Sequence, residues 1–240
     1  MARDEALLSA CSGPDVVPVI RFYGWSQPTI SLGYFQDFGE YEALQPPARD
    51  LAVVRRTTGG GAILHDLEVT YTIAIPTAHP ILAGQSKRLY QFAHAAIIQS
   101  IGHGTRLFGA GHESCGESSQ RGPFFCFERR HDLDVVVDDP KGPDGVSKIA
   151  GSAQRRTPTA ILQHGSIMLD SRFLQQKVRT WKELGGSDSF QQAVSELVPS
   201  FEQALGLKLV ASEWSDDERA AARSFESRYA GDDWTLRRQR

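Results

Sequence analysis

The spacing of apolar residues shifts along this chain from mostly strand-like to mostly helical. In the earlier part they alternate with polar ones or form short β-branched and aromatic runs, and toward the end they recur every three to four residues. Residues 1–10 set Ala6, Leu7 and Leu8 among charges and read as a helix that begins without an N-cap. Residues 16–25 and 29–35 are two strands joined by a turn at Ser26-Gln27-Pro28, and residues 51–56 are a third. After Gly59, Gly60 and Gly61, residues 62–75 return as strand with Val69, Tyr71, Ile73 and Ile75 on one face; a glycine-tipped hairpin is the simplest arrangement. Residues 86–101 have the period of an amphipathic helix, ended by Gly102 and laid over the sheet. Residues 104–122 are rich in glycine, serine and charge, as in a mobile surface loop delivering residues 124–127 to their place of action. Three more strands are expected over 133–137, 146–154 and 159–169, and helices over 172–184, 189–205 and 215–229. No repeat or linker divides residues 1–240. Strands first and helices mostly later predict a single α+β domain, a mixed β-sheet core flanked by helices.

Length and charge narrow the function classes. A chain of 240 residues can bury a full core. Its 26 basic and 29 acidic residues give a net charge of -3, no general field for nucleic acid or an anionic membrane. No stretch approaches the ~20 apolar residues of a membrane span, and Met1 leads into Arg3, Asp4 and Glu5 instead of an apolar signal core, so a cytoplasmic location is expected. Cys11, Cys115 and Cys126 are odd in number and lack paired spacing, which argues against both a disulfide framework and a zinc site. The histidines, among them His65, His94, His103, His112, His131 and His164, show no His-x-x-x-His spacing, and no metal site is expected.

Four places carry candidate chemistry. Arg55-Arg56-Thr57-Thr58-Gly59-Gly60-Gly61-Ala62-Ile63-Leu64-His65-Asp66 puts two cations and three glycines between strands. Glycines let backbone N–H groups approach a carbonyl, carboxylate or developing oxyanion; a glycine-rich hairpin with an exposed basic end is the plainer alternative. The segment fits neither a phosphate-binding loop nor a dinucleotide fingerprint. Lys148 lies among small neighbours, including Gly151, in a predicted strand, where it either faces solvent from an edge or reaches a cavity as an ammonium donor. His164 and Gly165 interrupt an apolar strand, where the glycine can clear room for a ligand chain. Cys126, among phenylalanines, is either an inert core thiol or a nucleophile, and the second role requires a cation or base such as Lys148 or His65 beside it.

These motifs together resemble the cofactor transferases that include lipoate-protein ligases, octanoyltransferases and, more distantly, biotin-protein ligases. The resemblance is closest to the cysteine-dependent octanoyltransferases. It is carried by Ile20-Arg21-Phe22-Tyr23-Gly24-Trp25, Leu32-Gly33-Tyr34-Phe35-Gln36, the segment from Arg55 to Asp66, Cys126-Phe127, residues 148–154 and 162–167, and Tyr229-Ala230-Gly231-Asp232-Asp233-Trp234. It implies a biotin/lipoate-protein-ligase-like catalytic domain. It further implies that Cys126 forms a thioester with octanoate taken from acyl carrier protein and that Lys148 positions the acyl carbonyl. Arg56, Gly59, Gly60, Gly61, His65, Gly151, His164 and Gly165 would surround the acyl group. The acceptor would be a lysine of a lipoyl-domain protein or of the glycine-cleavage H protein, with no cofactor. An ATP-dependent lipoate-protein ligase, needing ATP and Mg, a relay transferase between lipoyl proteins, and a noncatalytic acyl-binding protein are the alternatives. Three features depart from the octanoyltransferase pattern: the helix over residues 1–10 lacks the family's preceding strand, residues 126–133 are short, and Gly59-Gly60-Gly61 resembles ligases equally. Against a ligase, His131 occupies a position where ligases usually carry asparagine.

Overall fold

The computed structural model describes residues 1–11, 16–102, 104–110 and 122–239. Strands β1 (Val19–Tyr23), β5 (Glu68–Pro76), β6 (Arg106–Leu107), β7 (Val135–Asp138), β8 (Val146–Arg156) and β9 (Ala160–Met168) form an antiparallel sheet of order β1-β5-β9-β8-β7-β6. β5 and β9 are buried at every position because both faces of the sheet are covered. On one face Val69, Tyr71, Ile73 and Ile75 pack under helices α3 (Lys87–Ile101) and α4 (Phe190–Leu205), through Leu89, Ala93, Ile97, Leu197 and Phe201. The other face carries Ala74, Ala160 and Leu162 against Leu7 and Leu8 of α1 (Ala2–Ala10). A smaller sheet, β3-β2-β4, joins β2 (Thr29–Leu32), β3 (Ala52–Arg55) and β4 (Ile63–His65). The short α2 (Phe38–Glu42) follows β2. Near the C-terminus, α5 (Asp216–Ala230) starts on a capping box between Ser215 and Glu218 and leads into α6 (Asp232–Thr235).

Two expected elements are corrected, and one is realised only in part. The glycine segment does not tip a hairpin: β3 and β4 never pair, because β2 lies between them, parallel to β3 and antiparallel to β4. The glycines therefore cross over the end of β2, and residues 62–75 divide into β4 and β5 in different sheets. Residues 172–184 form no helix apart from a single turn, Lys182–Leu184. Their polar groups find distant partners instead. Gln176 brackets the backbone of Leu64, accepting from its N–H and donating to its carbonyl, both at 2.9 Å, while Arg179 N–H donates to Lys148 O and Trp181 N–H to Met168 O. The loop expected over 104–122 contains β6, and its residues 111–121, with Cys115 and His112, lie outside the described residues, as does His103.

A buried polar chain runs beneath the sheet. Gln163 Nε2 donates to Tyr71 Oη at 2.8 Å, and Tyr71 and Ser152 share a 2.5 Å hydrogen bond. Ser152 Oγ lies 2.6 Å from His94 Nε2, and His94 Nδ1 donates to the Leu133 carbonyl. Burial pushes the His94 imidazole down to about 4, the Leu133 carbonyl and Asp134 opposing it only in part. The unfolded chain, with an ordinary histidine, binds a proton first on acidification, so His94 supports stability above about pH 6.5 and that support is lost as pH falls toward 4. His94 is expected to contribute about 2 kcal/mol to the loss of stability on urea unfolding between pH 7 and 5, so His94→Gln should flatten the pH slope by about that amount. An unchanged slope in that variant would show that other groups carry it.

Candidate active site

Backbone pairing fixes the position of Cys126. Its N–H donates to Ala62 O at 2.7 Å, Ala62 N–H donates to Phe124 O at 2.8 Å, and residues 62 and 125 form a parallel bridge. Gly61 permits this approach: a Cβ there would lie 2.9 Å from both Cys126 N and Phe124 O. Phe125 and Phe127 are buried on either side of the cysteine, which is itself half-buried and lines both adjoining cavities.

Lys148 reaches this thiol because of a β-bulge. Val136 pairs with Lys148 but Val135 pairs with Ala150, leaving Ile149 as an extra residue on β8. Strict alternation would put Lys148 and Gly151 on opposite faces; the extra residue puts them on the same one. The lysine side chain then lies where a Gly151 side chain would be, with Cε 2.4 Å from a Cβ built there. Lys148 is buried on an interior strand, and its ammonium faces three acceptors: Asp134 Oδ1 at 2.9 Å, Cys126 O at 3.3 Å and Cys126 Sγ at 3.6 Å. Burial opposes the charge, but Asp134 and Cys126 outweigh it and hold the ammonium above the usual lysine range. Lys148 is therefore cationic across the neutral range and is no base.

The thiol sits where two cavities meet. A narrow slot runs between the two sheets, past Trp25, Ile63, His65, Gly151, Ala153 and His164. Its polar side chains are engaged with one another. His65 bonds Glu68 through Nδ1 at 2.8 Å and Ser31 through Nε2 at 2.7 Å and stacks on Trp25 at 4.0 Å, so neither nitrogen is free to serve as base to Cys126. On the other side of Cys126 opens a wider cleft, rimmed by Lys87, Arg129, Arg130 and Arg156 as well as Asp132 and Asp134. Gly59 and Gly60 line both cavities.

The structure brings Cys126, Lys148, the three glycines, Gly151, His65 and His164 to one site. Arg56 lines the slot, and its guanidinium donates to the protein: Thr58 Oγ1, Ser31 O and Oγ, and the carbonyls of Gly59 and Gly61 at 2.8 and 2.6 Å. Arg55 likewise ties the 33–36 loop to Thr235 O of α6. Gly165 also lines the slot, and a Cβ there would meet Ser152 Oγ at 2.5 Å and Tyr71 Cε1 at 2.7 Å. Asp134, Asp4 and Thr58 escaped the sequence reading. Only Asp134 carried a signal, as a lone acid at the head of an apolar run. No group of three or more candidate metal ligands occurs among the described residues.

Two sheets with helices outside thus hold a thiol beside a buried ammonium at a slot between them. The sequence pattern described as "Lipoyl protein ligase A/B catalytic domain" matches residues 1–213, and the chain belongs to that family. It is 33% identical to the octanoyltransferase LipM of Kyrpidia tusciae over 99% of this chain and 94% of that protein. Identity to the LipM octanoyltransferase of Bacillus subtilis is 31%, over 99% and 93% of the two chains. A putative lipoate protein ligase from T. acidophilum superposes with a TM-score of 0.76 at 20% identity, over 98% of this chain and 91% of that one. Lipoate-protein ligase A bound with ATP gives 0.75 at 19%, over 98% and 92%. These two likenesses establish the fold.

Proposed function

We propose that this chain is an octanoyltransferase of protein lipoylation that carries the acyl group on Cys126. The observation that carries the reading is the Lys148 ammonium 3.6 Å from the sulfur of Cys126, a residue that lines both the slot and the cleft. The full-length similarity to LipM octanoyltransferases supports the acyl group and the reaction class.

In the first step the sulfur of Cys126 attacks the thioester carbonyl of octanoyl-acyl carrier protein. The carbon–sulfur bond to the carrier breaks, its thiol leaves with the proton, and the octanoyl chain enters the slot. In the second step the ε-amine of a lipoyl-domain or H-protein lysine attacks the same carbonyl. An amide forms, the bond to Cys126 breaks, and the amine proton returns to the sulfur. Thioester exchange is nearly isoenergetic and amide formation is downhill, so no ATP is consumed. Lys148 stabilises charge developing on sulfur and acyl oxygen in both steps, and the glycine segment supplies N–H groups beside it. The cationic rim of the cleft suits an acidic carrier and its phosphodiester.

The same rim and volume would accommodate a nucleotide, which favours an ATP-dependent lipoate-protein ligase as the second reading. One assay separates the two. Incubated with octanoyl-acyl carrier protein and apo lipoyl domain without ATP or magnesium, the protein is expected to raise the acceptor's mass by one octanoyl group. Acylation only with free acid, ATP and magnesium would establish the ligase instead.

A further inference from the structure

The first turn of α1 holds a buried carboxylate that the acyl chemistry does not use. Asp4 Oδ1 accepts from Arg21 Nη1 at 2.8 Å and Thr72 Oγ1 at 3.0 Å, and Oδ2 accepts from Tyr23 Oη at 3.3 Å and His164 Nδ1 at 3.2 Å. Burial opposes its charge, but neighbouring positive groups and the His164 hydrogen bond keep the carboxyl ionised, well below the usual range. An ionised carboxylate only accepts, so His164 carries a proton on Nδ1. Burial also pushes the imidazole down, so it is neutral and its Nε2 is a lone pair. Thr58 Oγ1, 2.7 Å from Nε2, must donate to it. The threonine oxygen in turn accepts from Arg56 Nε at 3.1 Å. Arg56 Nη2 then donates to the carbonyls of Gly59 and Gly61. Every proton in this chain has one direction, set at its Asp4 end. The outcome lies at the reaction centre: with two loop carbonyls held by Arg56, the N–H groups of Gly59, Gly60 and Gly61 make no hydrogen bond within the protein among the described residues.

We propose that Asp4 is a positioning residue for acyl transfer: by fixing the tautomer of His164 it orders Thr58 and Arg56, and through them aims the glycine amides at the acyl oxygen. The proposal rests on the Cys126 reading for its catalytic consequence, but its structural claim can be tested separately. Nitrogen NMR of the imidazoles, with His164 assigned through His164→Gln, is expected to find the wild-type proton on Nδ1. In Asp4→Asn, whose amide can donate to that nitrogen, it should move to Nε2. The rate of octanoyl loading on Cys126 should then fall on the order of 10- to 100-fold, the scale of an orienting partner behind a site, with KM for the donor changed by less than about twofold. Thr58→Val should give a loss of similar size, Thr58→Ser should restore the rate, and the Asp4→Asn/Thr58→Val pair should lose little more than either alone. A wild-type proton on Nε2, or fully additive losses, would overturn the proposal. An Nδ1 proton in a protein that never acylates Cys126 would leave the hydrogen-bond chain in place and refute the covalent chemistry instead.

Discussion

Cys126→Ser is expected to reduce octanoyl transfer by about 10³-fold or more while leaving the fold intact, the largest single effect on this site. A serine hydroxyl needs a base to attack a thioester, and the surroundings supply none: Lys148 is held cationic by Asp134, and both His65 nitrogens are engaged by Glu68 and Ser31. Cys126 is half-buried and serine is nearly isosteric, so stability should change by less than about 1 kcal/mol. Transfer assays with mass readout of the acceptor, alongside urea unfolding, check both halves. A variant that transfers at the wild-type rate would remove Cys126 from the mechanism.

Gly151→Ala should nearly match that loss by a different route. The new methyl group would lie 2.4 Å from Lys148 Cε and 2.7 Å from Nζ. What yields is the far end of a flexible side chain, so the fold should lose only about 1–3 kcal/mol. The ammonium must nevertheless leave its position 3.6 Å from the sulfur, and kcat is expected to fall roughly 10²- to 10³-fold, the scale of one lost electrostatic stabiliser. Lys148→Met offers the contrast. It should lose similar activity but about 3–5 kcal/mol of stability, because it leaves Asp134 buried without its cation. If Gly151→Ala kept full activity, the ammonium would not need to sit where the bulge puts it.

Much of this was legible in the sequence wherever local periodicity decided the outcome. The alternation of Val69, Tyr71, Ile73 and Ile75 marked the covered face of β5, and the helical spacing of Leu89, Ala93, Ala96 and Ile97 marked what covers it. Long-range backbone pairing was not legible. Nothing near Gly59 indicates that β2 will insert between β3 and β4, and nothing in residues 172–184 indicates that Gln176 will bracket Leu64. The site divides in the same way. Cys126, Lys148 and the glycines stand out as residue types in unusual surroundings, and the fold brings them together. The bulge at Ile149 that aims Lys148 is a register shift between strands and leaves no local trace in residue type. Arg56 lines the slot, and its donors also hold the loop carbonyls, a role that a cation beside three glycines does not announce. Asp4 stayed hidden because an acid in the first turn of a helix is ordinary for solvent-exposed N-termini. Only its burial beneath β1, β5 and β9 gives it another meaning.

The most direct measurement is to load the protein with octanoyl-acyl carrier protein, remove the donor, locate the acyl group by peptide mass mapping, and then add apo lipoyl domain. The expected result is one octanoyl group on Cys126, released by hydroxylamine and passed to the acceptor lysine without further donor. A protein that acylates the lipoyl domain from the carrier while Cys126 never holds octanoate, or holds it and cannot pass it on, would contradict the covalent route.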